Sequence, residues 1–137
     1  MMNTKNKGAE NDSVPKTIYS FDNFFKISAD LICIAGFDGY FKRINPAVST
    51  LLGYTEEELR PIQEFVYKPD LKITLETRDE VYKSKPLLNF ENRYLTKTGE
   101  IVWLSWTSMP AEDEKLVYAI AKNITHKKRI DEQRNLL

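Results

Sequence analysis

The chain is 137 residues long and balances 20 Lys+Arg against 20 Asp+Glu, so its formal net charge is zero. No bulk field therefore draws it to nucleic acid or to an anionic membrane. The length suits one domain with a real core, no apolar run reaches membrane-spanning length, and Met1–Asn11 lacks a signal-peptide pattern. The lone cysteine, Cys33, excludes an internal disulfide and fits a reducing compartment, with the cytoplasm as the expected location.

Residues 1–16 are polar and aperiodic and read as a disordered leader or linker. Phe21, Phe24 and Phe25 follow the i, i+3, i+4 spacing of an amphipathic helix, with Ser20 as its N-cap. Leu31–Ala35 and Tyr40–Ile44 are short strands joined by Phe37-Asp38-Gly39, since Asp-Gly favours a hairpin turn. Cys33, inside the first strand, reads as a small buried hydrophobe. Asn45 suits an N-cap and Pro46 the first helical position. Val48, Leu51 and Leu52 form that helix's buried stripe, and Gly53 ends it. Thr55 and Glu58 make a capping box, with Leu59 facing inward. Pro61 breaks the chain, and Ile62–Val66 is a further short turn. Tyr67-Lys68-Pro69 is expected to be extended, and Asp70 to cap a longer helix, Leu71–Lys83. Leu71, Leu75 and Val81 would face inward on it, with Ile73 outside the stripe.

The stretch from Leu87 to Thr125 organises the rest. Leu88–Thr96, Ile101–Met109 and Leu116–Ile124 are strand-like runs. They are linked by Lys97-Thr98-Gly99-Glu100 and by the polar loop Ala111–Lys115, and such short links predict an antiparallel meander. On the middle strand Val102, Leu104 and Trp106 share one face, and Ile101, Trp103 and Met109 the other. Both faces are partly apolar, so each needs a cover: helices of the domain on one side, a flanking helix or a second copy of the chain on the other. The first candidate cover for the outer face is the helix carrying Phe21, Phe24 and Phe25. An isolated early hairpin would be marginal, so its strands should join the other three. The class is α+β. Thr125 is the expected cap of an exit helix, 126–137, in which Ile130 and Leu137 are one heptad apart; a merely solvated helix is the competing reading. The chain ends without a helix terminator, which suggests a fragment whose helix continues into an output domain.

Catalytic sets are not evident. The only histidine, His126, rules out a histidine-based triad or a multi-histidine metal site within one chain. No glycine-rich phosphate loop occurs, and the carboxylates sit at caps and turns. Neither catalytic nor metal-binding residues are assigned.

The order of these words resembles the PAS domain, of the sensory-box type found in bacterial signalling proteins. The matching pieces are Asp38-Gly39, Asn45-Pro46-Ala47, Leu52-Gly53-Tyr54-Thr55, Glu58-Leu59, Pro69-Asp70, Thr98-Gly99-Glu100 before Val102-Trp103, Pro110, and Asn123-Ile124-Thr125 before Lys128. They span about residues 20–130. The chain departs from the pattern at Tyr67-Lys68, where a histidine commonly stands before Pro-x-Asp, at Thr98-Gly99 in place of Asp-Gly, and at Asn123 in place of the usual aspartate. The resemblance implies a five-stranded antiparallel sheet of order 2-1-5-4-3, cupped around short helices and flanked by N- and C-terminal helices. It implies a PAS sensory domain over 17–125 and a signalling helix from 126. The roles implied are sensing, dimerisation, and relay through Asn123, Ile124 and Thr125 to an attached output domain, often a histidine kinase in a phosphorelay.

Flavin relatives carry a cysteine in an Asn-Cys-Arg word, but Gln63–Tyr67 has none, and haem relatives use a histidine absent from Leu71–Lys83. No flavin or haem is therefore expected; an unidentified small molecule or no ligand is. A cavity between the inner sheet face and the helices would draw on Ile34, Val48, Leu52, Leu75, Phe90, Asn92, Trp106 and Tyr118. An inward Asn92 must find a partner in protein, water or ligand, whereas on the reverse parity it faces solvent. Phe21, Phe24, Phe25 and Trp103 form the expected homodimer patch. The favoured reading is a non-catalytic sensory and dimerisation module. Its rival is a ligand-free scaffold of the same fold, used for protein–protein contact.

Overall fold

A computed structural model describes residues 19–58 and 60–136. The leader, Leu59 and Leu137 lie outside the described residues. The elements in chain order are α1 (Phe21–Ile27), β1 (Leu31–Gly36), β2 (Phe41–Ile44), α2 (Pro46–Leu52), α3 (Leu71–Tyr82), β3 (Leu87–Leu95), β4 (Ile101–Ala111), β5 (Leu116–Asn123) and α4 (Thr125–Asn135), with short 3-10 turns between α2 and α3. One antiparallel sheet forms in the order β2-β1-β5-β4-β3, so the early hairpin joins the meander at β5.

The local signals act through identifiable atoms. Ser20 accepts a hydrogen bond from the Asn23 N–H at the start of α1. Asn45 is fully buried. Its Oδ1 accepts from the N–H groups of Val48 at 3.2 Å and Ile32 at 3.0 Å, and its Nδ2 donates to the Asp30 carbonyl. One carboxamide thus caps α2 and ties it to the start of β1. Gly53 ends α2 with φ +85°, a conformation cheap only for glycine. At Thr55 half of the capping box forms: Glu58 Oε1 accepts the Thr55 N–H at 2.9 Å. Lys97 Nζ reaches the same carboxylate at 2.6 Å, pinning the β3–β4 turn to this loop.

Three expectations need correction. Of Tyr67-Lys68-Pro69, Tyr67 is extended as expected, but Lys68 and Pro69 enter a 3-10 turn, Lys68–Asp70, with Pro69 fitting its first positions. Asp70 holds the N-cap position of α3 as expected, but its side chain makes no capping hydrogen bond, because its carboxylate is taken by Arg93 on β3. Thr125 is the first residue of α4 and not its cap; Asn123 Oδ1 accepts the Thr125 N–H instead.

The inner face carries the core. Leu31, Cys33 and Ala35 of β1, Tyr94 of β3, Val102, Leu104 and Trp106 of β4, and Val117, Ala119 and Ala121 of β5 are buried against Val48, Leu52, Phe65 and Val81. The outer face is covered unevenly. α4 lies against β4 around Trp103, while Met109, Tyr118 and Ile120 stay exposed. α1 packs chiefly against α2, with Arg43 of β2 against its Phe25 ring.

Candidate functional site

Inward positions that pair across β1 and β5 carry small side chains. Cys33 faces Ala119 and Ala35 faces Val117 across the ladder. Four neighbouring positions thus lack the bulk to meet α3, and a hollow of about 90 Å³ remains between them and that helix. Thr74, Arg78, Val81 and Tyr82 of α3 form its roof, and Phe90, Asn92, Tyr94 and Trp106 its far wall.

Of the residues expected there, Phe90, Asn92 and Trp106 line the hollow. Ile34 and Tyr118 do not. Strand alternation puts Cys33, Ala35, Val117 and Ala119 inward, so Ile34 and Tyr118 belong to the outer face, where Tyr118 is exposed and paired with Glu114. Val48 and Leu52 are buried in the core beneath α2, away from the lining. Leu75 is half-buried to one side, because α3 turns Thr74 and Val81 toward the sheet. The residues missed are the small ones. Alanine and cysteine at alternate positions of LICIAG and LVYAIA mark where a sheet cannot fill the space above it.

Asn92 finds its partners in protein. Its Nδ2 donates to Thr74 Oγ1 at 3.1 Å, and its Oδ1 accepts from Trp106 Nε1 at 2.9 Å. This trio joins α3, β3 and β4 at one wall. Farther along α3 two polar atoms are left over. Arg78 Nε and Tyr82 Oη are buried and have no hydrogen-bond partner among the described residues. They sit one helical turn apart, with the guanidinium 5.7 Å from the Tyr82 ring centre. Burial pushes the Tyr82 hydroxyl above its usual value, so it stays a proton donor near neutrality. Burial likewise pushes the Cys33 thiol up to about 12, which leaves it a neutral part of the lining.

A second set of contacts occupies the outer face. Trp103 is half-buried, with Arg93 4.9 Å and Lys128 4.5 Å from its indole centre. Arg93 continues to Asp70, and Lys128 to Glu91 at 2.7 Å. The Arg93 guanidinium, helped by its own backbone N–H, holds the Asp70 carboxyl below its usual value against the opposing effect of burial. The Trp103 N–H donates to Thr125 Oγ1 at 2.9 Å, and Thr125 O–H donates to Asn123 Oδ1 at 2.6 Å. The Ile124 N–H closes the joint on the Trp103 carbonyl. The carboxamide of Asn123 performs this service without a formal charge.

A sequence model described as PAS fold matches residues 41–122, more than half of the chain. The chain belongs to the PAS family. This PAS domain is 28% identical over 98 residues to the probable diguanylate cyclase DgcE of Escherichia coli, a match covering 69% of the chain but 9% of that protein. It thus spans a small part of that curated relative. Among solved structures it is similar to the PAS domain of a Colwellia psychrerythraea protein, at 25% identity and a TM-score of 0.67, covering 77% of this chain and 94% of that one. It is also similar to a domain of the sensory box sensor histidine kinase/response regulator of Geobacter sulfurreducens, at 20% identity and a TM-score of 0.67, covering 74% and 90%. PAS domains are in general non-catalytic sensory parts of signalling proteins, and this chain shares their sheet order and flanking helices.

The expected dimer residues separate in space. Phe21 and Phe24 are exposed, but Phe25 is buried against α1's own surroundings, with the Arg43 guanidinium 4.5 Å from its ring. Trp103 is covered in part by Arg93 and Lys128 of the same chain. Phe25 is therefore removed from the dimer patch, and Trp103 is not freely offered to a partner. His126 is exposed. Among the described residues no helix is long and apolar enough to cross a membrane, and no His/Cys/Asp/Glu group has metal-site geometry.

Proposed function

We propose that this PAS domain is a sensory module whose hollow takes up a small molecule and whose exit helix reports the occupancy to an output domain, that of a sensor histidine kinase feeding a phosphorelay. One observation carries the reading: β4 serves both sites. Trp106 looks into the hollow, and three residues earlier Trp103 is bonded to Thr125 at the root of α4. A displacement of β4 by an occupant is therefore felt at the helix. The module works in the cytoplasm. Flavin and haem are not part of the reading, because Gln63–Tyr67 holds no cysteine and Leu71–Lys83 no histidine.

The same reading includes a homodimer, formed by Phe21, Phe24 and Ile27 of α1 with Tyr118 and Ile120 of the outer sheet face, all exposed in the single chain. Sedimentation showing only monomer at high concentration would remove that part. The relay is tested by fusing the chain in register through α4 to a histidine kinase transmitter. Filling the hollow with Ala119→Leu should change autophosphorylation several-fold, and adding Thr125→Val should abolish the response. Equal activity of all forms would overturn the relay.

A further inference from the structure

What the hollow offers a guest depends on which atoms of its lining reach the space. Nearly all of the surface exposed inside it is apolar. The Asn92 carboxamide donates to Thr74 Oγ1 and accepts from the Trp106 indole N–H, so three polar side chains of the wall are spent on one another. Arg78 Nε and Tyr82 Oη belong to lining residues but are closed off within the packing and present almost no surface to the space. Burial pushes the Cys33 thiol up to about 12 and raises the Tyr94 hydroxyl above its ordinary value, so neither carries a charge near neutrality. The surfaces left to meet a guest are Cys33, Ala35, Val117 and Ala119 on the strands and a set of aromatic rings beside them. Two of those rings, Tyr94 and Trp106, stand 5.6 Å apart between centres.

We propose that the hollow recognises an uncharged, largely hydrocarbon molecule. The inference rests on the reading of the hollow as a ligand site and adds the chemistry of the ligand. An apolar guest gives up no hydrogen bonds when it leaves water and gains dispersion contact with the wall. Its contacts are of the kind that rings and a polarisable sulfur make well. A polar guest of the same shape leaves its water partners and finds the wall's own donors and acceptors already engaged, which costs free energy, and an ion pays far more. Selectivity thus comes from what the wall refuses. Asn92 is central to that refusal, because its two bonds withdraw a carboxamide, a hydroxyl oxygen and an indole N–H from the guest at once.

The test is a titration of the ¹⁵N-labelled chain, followed at the Trp106 Nε1–H and at the Ala119 amide. The apolar probes are toluene and cyclopentane, each taken to its solubility limit, and xenon as the smallest. Sodium benzoate and benzamide are the charged and the polar counterparts of toluene. Both signals should shift with toluene or cyclopentane, and benzoate and benzamide should bind at least roughly tenfold more weakly than the hydrocarbon or not at all. Ala119→Leu, which fills the space, should abolish hydrocarbon binding. Val117→Thr, which sets a hydroxyl in the wall at nearly constant volume, should weaken it several-fold. A smaller preference for the hydrocarbon, or a preference for benzoate or benzamide, would overturn the hydrocarbon assignment and leave the hollow a ligand site. Shifts with xenon alone would mark a packing void, and these, like no shift with any probe, would overturn both readings. The wild-type titration decides this even if a variant fails to fold.

Discussion

Asn92 and Arg78 approach the same hollow from different walls and meet opposite fates. Asn92 is a neutral side chain on the central part of β3, within reach of a hydroxyl on α3 and an indole N–H on β4, and its bonds to both hold three elements together. Arg78 is a cation on the helix that roofs the hollow, with an orphan Nε and a neighbouring hydroxyl in the same condition. A buried polar group that is satisfied stabilises a fold, whereas one left unsatisfied costs stability. Asn92 therefore belongs to the architecture. Arg78 contributes an unpaired buried nitrogen and so adds nothing comparable.

That contrast can be broken at either end. Asn92→Leu should cost most, about 3 kcal/mol in urea unfolding, because it strands the Trp106 N–H and the Thr74 hydroxyl together. Asp70→Ala should cost about 2 kcal/mol by removing three charge-assisted hydrogen bonds to Arg93. The loss should itself depend on pH. The folded Asp70 carboxyl titrates below its unfolded value, so its contribution is complete above about pH 4 and disappears as the pH falls through the lower folded value. Stability curves of wild type and Asp70→Ala should therefore converge in acid. Thr125→Val should cost about 1 kcal/mol, and hydrogen exchange should quicken in the first turn of α4 before it does anywhere in β4. Arg78→Met should have the smallest effect and the opposite sign: unchanged stability or a gain of about 0.5 kcal/mol, since an apolar side chain of similar reach replaces an unsatisfied one. A large loss for Arg78→Met would place Arg78 alongside Asn92 and erase the comparison.

The fold was legible because its punctuation is chemically explicit. Ser20, Asn45-Pro46, Gly53 and Gly99 carry their message in one or two atoms or in a positive φ, and the structure places each as its chemistry requires. The site was less legible for two physical reasons. Periodicity says that alternate residues share a face but not which set turns inward, and the set containing Ile34 and Tyr118 is as apolar as the set containing Cys33 and Ala119. Bulk was read as a sign of the interior, whereas a hollow is built from its lack. Asp70 sits at the N-cap of α3 without a capping side-chain bond for a different reason: Arg93, 23 positions away, offers its carboxylate three hydrogen bonds that no local pattern reveals. Arg78 and Tyr82 drew no notice in the sequence because an exposed helix face would use the same residues.

The two tryptophans are Trp103 and Trp106, one against a pair of cations outside the sheet and one above the hollow. A separate optical reporter thus stands at each end of the proposed relay. In Trp103→Phe the remaining emission belongs to the interior alone, and in Trp106→Phe it belongs to the root of the exit helix. Stopped-flow traces from the two variants would time the arrival of an occupant and the response of the helix independently, with no dye attached to the protein.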